Sequence, residues 1–198
     1  INHVDHALRM WGAPAVFDDE DCLSGVEMRE LLLDHRRYSE QWGDVSPALL
    51  MPTGDGVSVS VQLGPQTSSH VDHTLATMAE IGTSLDHPVM TSKGEVSLHD
   101  VFQATLKAFT VNQIEYEWST LVFAMYMPEK SGWHSKDGQH ITFDLLADRI
   151  MRQRLTQGVC RGNHRTFTLV MLLRIDDQIR ILSEEGRTRV QTWLKDVT

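Results

Sequence analysis

Hydrophobic residues recur at helical spacing along most of the chain, and a glycine-punctuated turn precedes one of the clearest runs. The turn occupies 158–164, with the sequence Gly-Val-Cys-Arg-Gly-Asn-His. The run after it extends to Ile175 and has apolar residues at Phe167, Leu169, Val170, Leu172 and Leu173. This pattern predicts a buried helix with Asn163 as its N-cap residue.

Two other stretches share part of this design. Residues 2–8 read Asn-His-Val-Asp-His-Ala-Leu, and residues 69–75 read Ser-His-Val-Asp-His-Thr-Leu. Like Asn163-His164, each begins with a capping-type residue followed at once by His, and an apolar helical pattern comes next. The recurrence predicts three similar helix starts.

The remaining pattern is also mostly helical. It predicts helices over 3–11, 26–42, 74–81, 98–109, 114–127 and 142–154, and a last helix capped by Ser183. Residues 44–66 are the exception, because they contain several Pro and Gly residues and the alternating run 57–63. That run predicts a strand or small β-hairpin inserted near residues 49–63 of a helical fold.

A second repeat lies in the connections between helices. Ser92-Lys93-Gly94 precedes the capped start at Ser97, and residues 135–138, Ser-Lys-Asp-Gly, precede Thr142. Repeated turn-and-helix units indicate stacked antiparallel helical hairpins. We therefore expect a mainly α fold of about eight helices in about four hairpins. At 198 residues, a single domain over 1–198 is the simplest organisation.

Repeated helices with polar residues at their N-terminal ends resemble the α/α-toroid architecture of terpenoid cyclases and protein prenyltransferase β subunits. The resemblance is one of pattern, and about four hairpins correspond to a partial toroid or to a fragment of a longer chain. A two-layer helical array is the competing architecture. The resemblance implies a central cavity at the N-terminal ends of the inner helices, where some of these families hold zinc through Cys and His.

Composition and charge disfavour some classes of partner. The formal net charge of −9 disfavours a nucleic-acid partner, and no apolar run is long enough for a membrane span. The sequence begins with Ile1, which leaves open the removal of a leader and export, so localisation stays unknown. Two cysteines, Cys22 and Cys160, are too few for a disulfide framework, and we expect independent thiols.

The candidate metal ligands are His70, His73, Cys160 and His164. Imidazole and thiolate are zinc ligands, and His70 and His73 would share one face if both lay on a helix. The alternative is that these side chains only cap or bond helix ends. Cys160 beside His164 also allows a thiol nucleophile, against the alternative of a half-buried cysteine filling the turn.

Anion or ligand binding is the other interpretation of the same turn. The glycines free the backbone, and Arg161, Gly162 and Asn163 would present a guanidinium and helix N-terminal amides to a carboxylate or phosphate. Trp118 is a further candidate ligand-binding residue. As catalytic candidates we name His73 as general base, Asp72 as the residue that orients it, and Glu117 as acid or base.

Two functions follow as hypotheses. The first is an α/α-toroid-like domain that binds a small-molecule, saccharide or lipid-like ligand at a His/Cys/Asp cluster, with a metal-dependent enzyme as one form of it. The second is a non-catalytic helical scaffold for a protein partner. The sequence names no substrate and leaves open whether the chain is an enzyme.

Overall fold

The computed structural model describes residues 1–43, 47–128, 131–154 and 159–197 of the chain. It is mainly helical, as predicted, and includes small antiparallel strand pairs. The chain divides into two compact units, Ile1–Lys107 and Ala108–Thr198. The single domain and the toroidal arrangement stay predictions.

The first unit contains five helices and two hairpins among its described residues. The helices are α1 (Asn2–Trp11), α2 (Gly25–Leu33), α3 (His35–Trp42), α4 (His73–Glu80) and α5 (Leu98–Ala108, which ends at the start of the second unit). The strands are β1 (Leu50–Thr53), β2 (Gly56–Val59), β3 (Pro88–Thr91) and β4 (Gly94–Ser97).

Helix α1 packs against both α2 and α4, and the buried residues of these helices form the core of the first unit. Leu8, Leu32, Leu75 and Met78 have at most 1 % of their surface exposed. The prediction of one helix over 26–42 is wrong, because Asp34 divides it into α2 and α3. The Asp34 carboxylate accepts from the backbone N–H of Arg36 at 2.9 Å, as an N-cap of α3.

The predicted β-hairpin near 49–63 is confirmed as β1 paired with β2, with Leu50 opposite Val59 and Thr53 opposite Gly56. Gly56 has φ +134°, and a Cβ there would lie 2.7 Å from the carbonyl oxygen of Asp100, so only glycine fits this turn. The second hairpin, β3–β4, was not predicted. Its turn contains the Ser-Lys-Gly sequence and leads directly into α5.

The second unit contains four α-helices and one short hairpin in the part that the structure describes. The helices are α6 (Glu117–Tyr126), α7 (Phe143–Arg152), α8 (Asn163–Ile179) and α9 (Glu184–Val197). The strands are β5 (Trp133–His134) and β6 (His140–Ile141), so the second repeated turn is again a hairpin that leads into a helix.

The core of the second unit lies among α6, α7, α8 and α9. Helix α6 packs on α8, while α9 packs on both α7 and α8. Its fully buried side chains include Leu121, Phe123, Leu146, Leu172 and Val190. Within the described ranges, no helix of either unit is both long enough and apolar enough to cross a membrane.

Three of the predicted caps are confirmed and three helix starts differ from prediction. Ser97 bonds Asp100, Thr142 accepts from Leu145 N–H, and Ser183 accepts from Gly186 N–H. The starts that differ are those of the three His-containing stretches. Their N-cap residues are Ile1, Asp72 and Gly162, without a side-chain capping bond, rather than Asn2, Ser69 and Asn163.

Candidate functional site

The two similar seven-residue stretches of the first unit meet in space. Asp5 on α1 and His73 at the start of α4 are both buried, and Nδ1 of His73 lies 2.9 Å from Oδ2 of Asp5. The hydroxyl of Thr74 donates to the same oxygen at 2.7 Å. Asp5 therefore joins the two helices through a buried charged hydrogen bond.

Burial and hydrogen bonding set the pKa values of this pair. Burial lowers the pKa of His73 below its ordinary value, against the opposing effect of Asp5. Burial alone would raise the pKa of Asp5, but hydrogen bonds from His73, Thr77 and Thr74 bring it below its ordinary value. The imidazole is thus held in its neutral form against a carboxylate.

An ion pair one turn further along connects the same two helices. Nε of Arg9 lies 2.9 Å from Oε2 of Glu80, and both side chains are nearly buried. Burial raises the pKa of Glu80 to about 7, although Arg9 lowers it. Arg9 also donates to the His73 carbonyl at 3.4 Å, so a connected set of polar contacts joins α1 and α4.

The other sequence-predicted residues of this unit surround His73. The His70 ring lies 5.6 Å from the His73 ring between centroids, and the exposed His6 ring lies 4.7 Å from it. His70 precedes α4, so the predicted shared helical face is wrong, although the two rings are adjacent. Asp72 has φ +56° and accepts a hydrogen bond from Thr105. The bonded partner found for His73 Nδ1 is Asp5.

The second cluster lies at the start of α8. Cys160, Arg161 and Gly162 follow one another in the left-handed region, with φ of 51°, 55° and 82°, and Asn163 begins the helix. Cys160, Arg161 and Asn163 are exposed, whereas Gly162 is buried. Gly158, the first glycine of the predicted turn, lies outside the described residues.

Glu117, the first residue of α6, lies against the start of α8. Oε1 of Glu117 accepts from Nε of Arg165 at 2.9 Å, and Arg165 also donates to the carbonyl of Arg154 at 2.6 Å. Glu117 is 5 % exposed, and its second oxygen, Oε2, is buried without a hydrogen-bond partner among the described residues. The carboxylate is thus charge-paired through Oε1, and Oε2 is an acceptor that no described residue satisfies.

Aromatic rings lie beside this carboxylate. The buried Trp118 ring is 4.8 Å from the His164 ring and 6.0 Å from the Phe167 ring between centroids. Phe167 is 37 % exposed and His164 is half-buried. The structure therefore brings His164, from the turn before α8, against Trp118, the neighbour of Glu117 in the sequence.

The predicted zinc ligands are divided between the units. His70 and His73 belong to the first unit, and Cys160 and His164 belong to the second. Across the described residues, no group of three or more His, Cys, Asp or Glu side chains is placed to hold a metal ion. Zinc binding and the catalytic roles of His73, Asp72 and Glu117 stay predictions. Cys22 and Cys160 are free, exposed thiols.

The sequence named His73 and Glu117 as candidates but did not indicate their charged partners. Asp5 was read only as part of a repeated stretch, and the Arg9–Glu80 pair was not anticipated at all. The near-identity of 2–8 and 69–75 was the available signal for the first pair. Arg165 pairs with Glu117, a contact that no local pattern indicates.

Comparison with models of known protein families, with curated proteins and with solved structures finds no match to this chain. The geometry of the two clusters is therefore the evidence that bears on function.

Proposed function

We propose that the chain is a helical ligand-binding domain of the partial α/α-toroid type. Its ligand is a small hydroxyl-rich molecule, such as a saccharide, bound where the N-terminal turns of α6 and α8 meet. The observation that carries this proposal is Oε2 of Glu117, a buried acceptor without a partner among the described residues. A buried acceptor left unbonded costs about 1–3 kcal/mol, which a ligand hydroxyl would recover.

The charges around Glu117 favour a neutral donor. Arg165 already neutralises the carboxylate, and the N-terminal ends of α6 and α8 add positive potential beside it. A cationic ligand would be repelled by this arrangement, and a deprotonated carboxylate ligand has no proton to donate to Oε2. A hydroxyl group can donate to Oε2 without either penalty.

The aromatic side chains supply the apolar part of the site. Ligand sites commonly combine aromatic walls with a few placed polar groups, and the partly exposed Phe167 and His164 offer such a wall. The apolar face of a sugar ring would pack against them while one hydroxyl reaches Glu117. Arg161, Gly162 and Asn163 would form the rim on the α8 side.

The adjacent N-terminal turns also support the toroidal part of the proposal. In a toroid, inner helices run in one direction and present their N-terminal ends at the cavity. Glu117 and Trp118 at the start of α6 contact Arg165, His164 and Thr168 at the start of α8. Helices α6 and α8 would then be neighbouring inner helices.

The test is a titration of the protein with a panel of mono- and disaccharides, followed by thermal unfolding and isothermal calorimetry. We expect at least one saccharide to raise the unfolding temperature of the wild-type chain. Glu117→Gln would weaken its binding about tenfold or more, because the amide of Gln can place a donor where Oε2 accepts. Glu185→Gln, an exposed carboxylate at the start of α9, is the matched control.

Failure of every saccharide to bind the folded wild-type protein would overturn the proposal. Equal saccharide binding by the wild type and the Glu117→Gln variant would show that Glu117 is not part of the binding site. If an anionic ligand binds instead, the binding groups would be the helix N-termini and Arg161 rather than Glu117.

A non-catalytic scaffold is the second candidate function, supported by the burial of the His73–Asp5 pair. Side chains with 0 and 1 % exposure that bond each other hold helices together and present nothing to a ligand. If the scaffold proposal holds for the whole chain, His73→Ala would lower stability and no small molecule of the panel would bind.

A further inference from the structure

We propose that the first unit docks a basic amphipathic segment of a partner protein on a surface formed by residues 10–21. This apolar–acidic surface consists of the apolar residues Met10, Trp11, Val16 and Phe17 and the acidic residues Asp18, Asp19, Glu20 and Asp21. It is separate from the ligand site proposed for the second unit.

The apolar part of this surface is unusually exposed. Met10, Trp11 and Val16 are 75, 60 and 83 % exposed, and the Trp11 and Phe17 rings pack edge to face with 6.0 Å between centroids. Single exposed apolar residues are ordinary, but several within eight consecutive positions indicate a contact surface. Leu23 and Val26 extend it toward α2, with 36 and 48 % exposure.

The backbone beneath the surface is fixed by hydrogen bonds and close packing. Gly12 N–H donates to the Leu8 carbonyl, and Gly25 N–H donates to the Ala15 carbonyl, both at 2.8 Å. A Cβ at Gly25 would lie only 2.1 Å from the Gly12 carbonyl oxygen, so the loop lies directly on the start of α2. The surface is therefore preorganised, which reduces the entropy lost on binding.

The acidic residues of the apolar–acidic surface favour a basic partner. Asp18, Asp19, Glu20 and Asp21 are all exposed, and in the part of the chain that the structure describes none of them forms an ion pair. Lys and Arg side chains beside an apolar stripe would pair with these acids while the stripe covers Trp11. This combination of groups is that of a basic amphipathic helix.

The same charges argue against a second copy of this chain as the occupant. Two copies would bring eight carboxylates together, and each copy of the chain carries a formal net charge of −9. Like-charge repulsion of this kind opposes self-association at moderate ionic strength.

The experiment measures binding of a labelled synthetic Leu/Lys peptide with leucine at helical spacing, by fluorescence anisotropy. A Leu/Glu peptide of the same pattern is the charge control. We expect the Leu/Lys peptide to bind, with an affinity that falls as salt increases, and the Leu/Glu peptide not to bind.

Matched variants separate this surface from general attraction to an acidic protein. Trp11→Ser would weaken binding about tenfold, as expected for a truncated aromatic anchor. Ile114→Ser changes an 80 % exposed residue of the second unit and would leave binding unchanged. Replacing Asp18 and Glu20 by Asn and Gln would weaken binding and its salt dependence more than replacing Glu184 and Glu185 by Gln. Circular dichroism would establish that each variant is folded.

Three results would overturn the proposal. These are no binding of the Leu/Lys peptide, equal binding by the Trp11→Ser and Ile114→Ser variants, or a dimer in analytical ultracentrifugation that Trp11→Ser abolishes. The last would assign the surface to a second copy.

Discussion

His73 and Asp5 lie 68 positions apart in the chain, yet Nδ1 of His73 is 2.9 Å from Oδ2 of Asp5 in the interior of the first unit. Each belongs to one of the two similar seven-residue stretches. The stretches are therefore packed against each other, and one residue from each forms the contact between α1 and α4. A buried pair of this kind is costly to break from one side only.

Asp5→Ala should lower the free energy of unfolding by about 3–5 kcal/mol, because it removes the charged acceptor of both His73 and Thr74. Urea denaturation measures this loss. The exposed Asp55, on the β1–β2 turn, gives the control Asp55→Ala, which should change stability by about 0.5 kcal/mol or less. A double-mutant cycle with His73→Ala should give a coupling of about 1–3 kcal/mol, and strict additivity would contradict the pairing.

Glu80 gives the first unit a pH dependence of definite sign. Its pKa in the folded protein, about 7, lies above the ordinary value of 4.5, so the folded state retains a proton that the unfolded chain has released. This contribution to stability is fully present below pH 4.5 and is lost as the pH rises to about 7. Its size is on the order of 3 kcal/mol.

His73 gives the first unit a pH dependence of stability with the opposite sign. Its pKa is lowered in the folded protein, so its contribution is present above pH 6.5 and is lost as the pH falls toward the folded pKa. The two groups partly offset each other in the wild-type protein. The effect of Glu80 must therefore be read from a comparison of variants.

Glu80→Gln should become progressively more stable than the wild type between about pH 5 and pH 7, because Gln resembles the protonated carboxyl. Urea unfolding at a series of pH values measures the difference. Glu95→Gln, which changes an exposed carboxylate on β4, should show a constant difference over the same range. Parallel pH profiles for Glu80→Gln and the wild type would contradict the raised pKa.

Local signals in the sequence were sufficient for much of the secondary structure. Ser97, Thr142 and Ser183 cap helices as predicted, because the capping bond involves residues only three apart. The break at Asp34 was missed because apolar residues continue on both sides of it at helical spacing. The β3–β4 and β5–β6 hairpins were missed because strands of four and two residues show too little alternation.

The candidate sites were harder to predict, because their contacts join distant parts of the chain. Glu117 and Arg165 are 48 positions apart, and nothing in either local pattern indicates the ion pair. The sequence identifies His73 and Glu117 as residue types that can act as acids or bases. Whether they can do so depends on their burial, which the sequence does not indicate. His73 was proposed as a general base, and its complete burial against Asp5 is visible only in three dimensions.

The zinc prediction has a direct test in the metal content of the purified protein, measured by elemental mass spectrometry. If His70, His73, Cys160 and His164 form one site, zinc should be near-stoichiometric and should be lost in both His70→Ala and Cys160→Ala. Cys22→Ala removes the other exposed thiol and serves as the control. Zinc retained in either of the first two variants would exclude this set of ligands.

Gly25→Ala should be among the most destabilising single-methyl additions in the first unit. The added Cβ would lie 2.1 Å from the Gly12 carbonyl oxygen and 2.6 Å from that of Ala13, and both are backbone atoms that cannot rotate away. We expect a loss of about 3 kcal/mol in the free energy of unfolding. Gly54→Ala adds the same methyl where no atom lies within 4 Å, so it should change stability by about 0.5 kcal/mol or less. Equal stability of the two variants in urea denaturation would show that the loop before α2 does not lie on Gly25, and the apolar–acidic surface would lose its fixed support.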